Sequence, residues 1–170
     1  MKRVMVIGAP GTGKSTFAKK LAAKTGLPLI HLDLYYHDKS KNYYENKEAW
    51  KSQVEEMTAG ECWIIDGNYG RTMAERMKWA DTIIYFDLPR ALALRGIAKR
   101  RLAAQRAKRD DMPSDWHESA GWSFVCGVWN YKKKYGEDIA RLLEDNKDKQ
   151  VVVFKSRKET EEYLNAMIKP

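Results

Sequence analysis

Residues 8–15 read GAPGTGKS, and this stretch decides the fold class of the 170-residue chain. It fits the pattern G-x-x-x-x-G-K-[ST] of a phosphate-binding loop (P-loop), in which backbone N–H groups cradle phosphate oxygens. Residues 4–7 read as a short buried strand, and residues 15–26, STFAKKLAAKTG, read as a helix. This order of elements points the positive end of the helix dipole at the loop. The stretch therefore predicts a site for a phosphorylated ligand.

The residue types within the loop predict separate roles. Glycine alone reaches positive φ without steric cost, and it lets a ligand lie against bare backbone. Lys14 is predicted to bridge the β- and γ-phosphates of a nucleotide and to act in catalysis there, while the Ser15 hydroxyl holds Mg²⁺. We expect nucleotide binding by Gly8, Gly11, Thr12, Gly13, Lys14, Ser15 and Thr16.

The composition is typical of one soluble globular domain, which we place over residues 1–170, with 44% hydrophobic and 32% charged residues. No apolar run approaches the length of a membrane span, and a cleaved leader would remove the P-loop, so we expect a cytoplasmic protein. Cys62 and Cys126 stand among apolar residues, and we expect both to be reduced and buried. The histidines lack the spacing of a structural metal site. The net charge of +8 favours polyanionic partners: nucleotide phosphates, nucleic acid or both.

Further apolar runs alternate with helical patterns, which predicts a parallel sheet with ligands bound at the carboxyl ends of its strands. The runs are nearly continuous, as expected for strands that are buried on both faces. The predicted strands after the first cover residues 28–32, 62–66, 82–87 and 151–154.

Carboxylates follow three of these strands. Asp66 ends the run WIID and is expected to orient Mg²⁺, or else to cap the turn DGNYG. Asp33 ends IHLD and would position or deprotonate an acceptor hydroxyl, or else cap a helix or turn. Asp87 precedes Leu88-Pro89 and is assigned to the start of a helix. His31 is expected to pack in the interior, and we assign it no role.

Two segments carry unusual composition. Residues 35–50 are both aromatic and polar, so they either form an acceptor pocket or pack a helix onto the sheet. Residues 90–112 contain eight Lys or Arg, and a helix cannot turn all of them toward one ligand. We expect Arg106 and Arg109, with Arg101 a weaker candidate, to close on the transferring phosphates. The alternatives are a contact surface for DNA or RNA, or a solvated helix face.

The motifs GAPGTGKS, HLD, WIIDGNY, ADTIIYFDLPR, KRR, DDM, WNY and VVVFKSRKETEEYL occur here in the order found in the family of DNA topology modulation proteins. The chain resembles that family over nearly its whole length. The family is itself similar to adenylate kinase and shikimate kinase, within the nucleoside-monophosphate-kinase-like P-loop group. The resemblance implies a three-layer α/β fold of the P-loop NTPase type, with a parallel five-stranded sheet of order 2-3-1-4-5. It also implies ATP as the donor, an acceptor-binding insert at about 34–60 and a short basic lid at about 100–120.

The chain departs from its relatives at two places. The lid lacks the glycine and proline of the family pattern R-G-K-x-R-P-D-M. The run D-G-F-P-R, which adenylate kinases carry after the third strand, is DGNYGR in residues 66–71. The second departure leaves the acceptor unassigned by the resemblance.

Together these observations predict a Mg²⁺-dependent phosphotransferase that uses ATP and a small hydroxyl or phosphate acceptor, such as a nucleoside or nucleotide. The predicted catalytic residues are Lys14, Asp33, Arg106 and Arg109, and the predicted metal ligands are Ser15 and Asp66. The predicted acceptor-binding residues are Asp33, Asn68, Tyr69 and Arg71. The alternative is a nucleic-acid-binding protein that affects DNA topology and uses nucleotide binding as a switch. The enzyme is favoured because strand-end carboxylates and a P-loop converge on one edge of the sheet.

Overall fold

The structure is a computed structural model that describes residues 1–104, 111–113 and 121–167. The strands are β1 (Arg3–Gly8), β2 (Leu29–His31), β3 (Trp63–Asp66), β4 (Thr82–Phe86) and β5 (Gln150–Phe154). The helices are α1 (Lys14–Thr25), α2 (Leu32–Tyr36), α3 (Lys47–Thr58), α4 (Met73–Trp79), α5 (Arg90–Ala104), α6 (Trp122–Trp129), α7 (Tyr131–Asp145) and α8 (Arg157–Ala166). A short 3-10 turn, Gly70–Thr72, precedes α4.

The strands form one five-stranded sheet in the order β2-β3-β1-β4-β5, and every neighbouring pair is parallel. This order confirms the predicted fold class. Because β1 is central, the P-loop that follows it lies at the middle of the carboxyl edge, between the chain segments that leave β3 and β4. No helix in the described part of the chain is long and apolar enough to cross a lipid bilayer.

Alternate side chains of β1 point to opposite faces of the sheet and fill two cores. Met5 and Ile7 belong to a buried cluster with residues of α3, α4 and α7. Val4 and Val6 belong to a second cluster, which includes residues of α1 and α8. Helices therefore cover both faces, and the burial of the inner strands β1, β3 and β4 explains why their sequences are continuously apolar.

The predicted strands agree with the observed ones to within one residue at each end, but two expectations were wrong. β2 ends at His31, and Leu32 begins α2, so Asp33 lies in the first turn of a helix rather than at the end of a strand. Cys62 is exposed, because it lies in the turn between α3 and β3 rather than within the strand. Cys126 is partly buried in α6.

Helix α5 lies directly against the backbone of the P-loop. A Cβ atom on Gly96 would stand 1.9 Å from the carbonyl oxygen of Gly11, and one on Gly11 would stand 2.2 Å from that of Ala93. A Cβ on Gly8 would likewise meet the carbonyl oxygen of Phe86 at 2.6 Å. Gly8 and Gly11 therefore lack side chains because β4 and α5 occupy the space that a side chain would need.

Gly13 is different. It has a φ of 100° and nothing within 4 Å of a Cβ position, so its bare side faces open space at the start of α1. Gly13 is therefore the loop glycine whose surroundings leave room for a ligand against the backbone, as the sequence predicted.

The contact between α5 and the P-loop predicts that Gly96→Ala destabilises the protein, although alanine favours helices. The new methyl group would overpack the contact and lower the free energy of unfolding by roughly 1–3 kcal/mol. Gly127→Ala is the matched control, because Gly127 is also helical and has nothing within 4 Å of its Cβ position. That change should raise stability by up to about 1 kcal/mol. Urea unfolding followed by circular dichroism measures both, and equal midpoints would contradict the close contact.

Candidate functional site

A cleft of about 1000 Å³ opens at the carboxyl edge of the sheet. Residues 10–16 of the P-loop line its centre. Asp33 of α2, Asp66 at the end of β3 and residues 67–69 of the following loop line it on the side of β2 and β3. Residues of α5 and α8, among them Gly96 and Arg157, line it on the side of β4 and β5. The topology therefore brings the predicted P-loop and carboxylate residues to one cavity.

The P-loop is held by hydrogen bonds to one of its own carbonyl groups. The hydroxyl of Thr12 donates to the Ala9 carbonyl oxygen at 2.7 Å, and the Lys14 ammonium donates to the same oxygen at 2.9 Å. Lys14 is buried, while Ser15 and Thr16 line the cleft in the first turn of α1. The Lys14 ammonium group therefore lies within the P-loop, at the beginning of α1.

Asp66 is buried and pairs with His31, a residue to which the sequence analysis assigned no role. His31 Nδ1 lies 3.0 Å from Asp66 Oδ2, and no described hydrogen bond joins this carboxylate to the following turn. The other oxygen, Oδ1, is buried without a hydrogen-bond partner among the described residues, as is His31 Nε2. A carboxylate oxygen left unpartnered beside a P-loop is the type of ligand that Mg²⁺ prefers. The residues present therefore fit a magnesium ion.

Asn68 fastens the loop after β3 to the start of the P-loop. Its Nδ2 donates to the Gly8 carbonyl oxygen at 2.8 Å, and its Oδ1 accepts from the Gly8 N–H at 3.0 Å. The amide thus pairs with both polar groups of one backbone residue. Its predicted contact with an acceptor stays a prediction, and the geometry gives it a positioning role that sequence reasoning missed.

Tyr69 adopts a backbone conformation that is rare for a bulky residue, with a φ of 34°. Its hydroxyl donates to Asp33 Oδ1 at 2.6 Å. Burial, together with the nearby Asp33 carboxylate, raises the pKa of Tyr69, so the phenol stays protonated and remains a donor. Two of the predicted acceptor-binding residues are therefore in direct contact.

The fully buried side chain of Arg76, in α4, supports this unusual loop. Its Nη1 donates to the Gly67 carbonyl oxygen at 2.8 Å, and its Nη2 donates to the carbonyl oxygens of Asn68 and Tyr69. Burial lowers the pKa of Arg76 to about 9, which still leaves it protonated at neutral pH. Sequence reasoning missed Arg76. The signal was its place between Met73 and Met77, on the apolar face of a short helix.

The basic residues near the predicted site fall into three groups by position. Arg71 is exposed in the 3-10 turn and is not among the residues that line the cleft, so its role stays a prediction. On α5, Lys99 and Arg100 line the cleft, whereas Arg101 is exposed and does not. Residues 105–110 and 114–120 of the predicted lid lie outside the described residues. Arg106 and Arg109 belong to the first of these ranges, so their predicted role stays a prediction.

The aromatic segment, residues 35–50, contributes to a cluster of rings around Tyr36. The Tyr36 ring centroid lies 4.6 Å from that of Tyr69, 4.8 Å from that of Tyr44 and 4.9 Å from that of Trp50. Trp50 is buried in the cluster that packs against the sheet. This agrees with the alternative in which the segment packs a helix onto the sheet. Tyr69 and His37 also line the cleft, so the cluster reaches the site from behind.

Comparisons with known proteins point to the same group of folds. A model of the ATPase family associated with various cellular activities (AAA) matches residues 4–66. Adenylate kinase from Thermotoga neapolitana is 28% identical over 134 residues, with 60% of each chain covered. The chain thus spans 60% of the length of this curated relative.

Solved structures of shikimate kinases are similar over almost the whole chain. The enzyme from Bacteroides thetaiotaomicron gives a TM-score of 0.61 at 17% identity, covering 97% of this chain and 95% of that one. Shikimate kinase from Acinetobacter baumannii, solved in complex with shikimate, gives 0.61 at 13% identity, with 98% and 90% covered. The Aquifex aeolicus enzyme gives 0.55 at 15% identity, with 96% and 92% covered.

These likenesses confirm the P-loop kinase fold and bear out the resemblance to adenylate and shikimate kinases. The assignment to DNA topology modulation proteins stays a prediction.

The contacts of Arg76 predict a large loss of stability on Arg76→Met. Each buried carbonyl left without its donor costs about 1–3 kcal/mol, and we expect a total loss of roughly 3–5 kcal/mol. Arg76→Lys should lose less, because it keeps the charge. Arg71→Met is the matched control: it removes the same charge from an exposed position and should stay within about 0.5 kcal/mol of wild type. Equal losses for the two methionine variants in urea unfolding would refute the role of Arg76.

Proposed function

We propose that the protein is a Mg²⁺-dependent phosphotransferase that moves the γ-phosphoryl group of ATP to a small acceptor. The observation that carries the proposal is the convergence of three groups on one cleft: the P-loop with its buried Lys14, the unpartnered oxygen of Asp66, and Asp33. The similarity to proteins named adenylate kinase and shikimate kinase supports the reaction class.

Each residue has a definite part in this proposal. Backbone N–H groups of the cleft-lining part of the P-loop and Lys14 bind the β- and γ-phosphates, and Lys99 and Arg100 add positive charge from α5. Ser15 and Asp66 would hold Mg²⁺, which when bound neutralises charge on the phosphates. Asp33 accepts the proton as the acceptor oxygen attacks the γ-phosphorus, the bond to the bridging oxygen breaks, and ADP leaves.

A screen for phosphoryl transfer tests the reaction. Nucleosides, nucleotides and small hydroxyl metabolites are each incubated with ATP and Mg²⁺, and ADP and phosphorylated product are measured. Lys14→Ala should lower transfer by about 10²–10³-fold, because it removes a charge next to the transferring group. Lys51→Ala, an exposed lysine of α3, is the control and should leave the rate unchanged. Wild-type turnover in Lys14→Ala would remove Lys14 from the mechanism. DNA binding that falls steeply with salt, without transfer, would support the nucleic-acid alternative.

The proposed metal ligand has its own test. Asp66→Asn keeps the shape of the side chain but removes the charge that complements the ion. ATP affinity measured by calorimetry should therefore fall more with Mg²⁺ than with EDTA. Asp145→Asn, at the exposed end of α7, should change neither value. Equal losses with and without Mg²⁺ would make Asp66 a structural residue only.

A further inference from the structure

The cleft is divided by charge. Because the sheet order places β2 and β3 on one side of β1 and β4 and β5 on the other, the residues that follow these strands separate in the same way. We call the first side the acidic half, and its lining side chains are Asp33, His37, Asp66, Asn68 and Tyr69. We call the second side the basic half. Its charged lining residues after β4 and β5 are Lys99, Arg100, Asp111, Arg157 and Glu161, so three cations stand there beside two carboxylates.

Both carboxylates of the acidic half keep an oxygen for a ligand. Asp33 Oδ1 accepts the Tyr69 hydroxyl, and within the described residues no hydrogen bond reaches Asp33 Oδ2. Asp66 Oδ2 pairs with His31, and its Oδ1 is buried without a partner in the described part of the chain. When Asp66 serves Mg²⁺, Asp33 remains as an acceptor of hydrogen bonds. A hydroxyl group satisfies such an oxygen, whereas a phosphate dianion would be repelled by it.

The arginines on this side of the fold offer no guanidinium group to a ligand in the cleft, although the charge of Arg76 acts on Asp66 from behind the loop. Arg76 is fully buried, and its guanidinium is bonded to the carbonyl oxygens of residues 67–69. Arg71 is exposed and does not line the cleft. The lining of the acidic half therefore includes two carboxylates and no arginine among the described residues, and the Arg76 guanidinium bonds the backbone behind the loop.

The acidic half also presents an aromatic surface. Tyr69 lines the cleft and is held by ring contacts with Tyr36 at 4.6 Å and Trp50 at 5.0 Å. The rare φ of Tyr69 is maintained by Arg76 behind the loop, so this ring is fixed in place rather than adaptable. A fixed ring next to a carboxylate oxygen suits a cyclic compound that carries hydroxyl groups.

We propose that the acceptor is an uncharged sugar ring with free hydroxyl groups, either a free sugar or the sugar of a nucleoside, and not a phosphate monoester. This inference rests on the proposed function. One hydroxyl oxygen forms the new bond to the γ-phosphorus, the bond from that phosphorus to the bridging oxygen breaks, ADP leaves, and Asp33 Oδ2 takes the hydroxyl proton. The ring packs on Tyr69.

Matched pairs of acceptors test the charge class through transfer. Adenosine and AMP, cytidine and CMP, and ribose and ribose 5-phosphate are each offered with ATP and Mg²⁺. We expect transfer to the unphosphorylated member of a pair to exceed transfer to its phosphate ester by at least about tenfold. Transfer to adenosine or cytidine identifies a nucleoside, and transfer to ribose identifies a free sugar. Faster transfer to any of the phosphate esters would overturn the inference.

Binding decides the same question without turnover. With the donor site saturated by a non-hydrolysable ATP analogue and Mg²⁺, calorimetry measures the affinity for each member of the pairs. The unphosphorylated member should bind more tightly in wild type, and Asp33→Asn should raise affinity for the phosphate ester by about tenfold, since it removes the repelling charge. Asp145→Asn should change neither affinity. Tighter binding of a phosphate ester by wild type, or an unchanged affinity in Asp33→Asn, would overturn the inference.

The two proposals fail in different ways. If ATP binds in a Mg²⁺-dependent manner but no compound is phosphorylated, the result counts against the phosphotransferase. The binding affinities for the paired compounds would then decide by themselves whether the site prefers an uncharged sugar or a phosphate ester. Transfer that occurs only to phosphate esters would keep the phosphotransferase and overturn the sugar acceptor.

Discussion

The site depends on one buried guanidinium. Arg76 binds the carbonyl oxygens of three successive residues, 67–69, and so fixes a loop in which Tyr69 has a positive φ. From that loop, Asn68 reaches the backbone of Gly8 and Tyr69 reaches Asp33. A charge taken out of water must be compensated by hydrogen bonds, and here the compensation itself sets the geometry of the P-loop and of the acidic half.

A second constraint acts from the other side of the P-loop. Helix α5 approaches so closely that neither Gly11 nor Gly96 has room for a side chain. The P-loop is therefore held between α5 and the loop after β3. The same helix carries Lys99 and Arg100 into the cleft, so the packing that shapes the P-loop also determines which basic residues face it. The proposed phosphoryl transfer would benefit from such a preorganised arrangement, since the charges would not need to move during the reaction.

Several parts of this arrangement could be predicted from the sequence and others could not. Continuous apolar runs place the strands to within a residue, because burial on both faces leaves a strong signal. The P-loop and Asp66 follow from local patterns. The pair between His31 and Asp66 joins two strands, and the contact between Asn68 and Gly8 joins two loops far apart in the chain. No local pattern indicates such pairs. Arg76 left a weak signal, because it is a cation on the apolar face of a helix. Its partners are backbone carbonyl groups, whose positions cannot be predicted from side-chain patterns.

The sequence by itself determined the alternating α/β class with a parallel sheet, the positions of the strands along the chain and the presence of a phosphate loop, because these depend on periodicity and on a contiguous motif. The order of the strands within the sheet was implied by the family resemblance. The tertiary structure alone decided which basic residues of α5 face the cleft, since a helix distributes its side chains around its axis and only packing selects a face. It also decided that Gly8 and Gly11 make room for β4 and α5, while Gly13 faces open space. The division of the cleft into an acidic and a basic half arises in the same way: strand order in space, rather than order along the chain, determines which carboxylates and cations become neighbours.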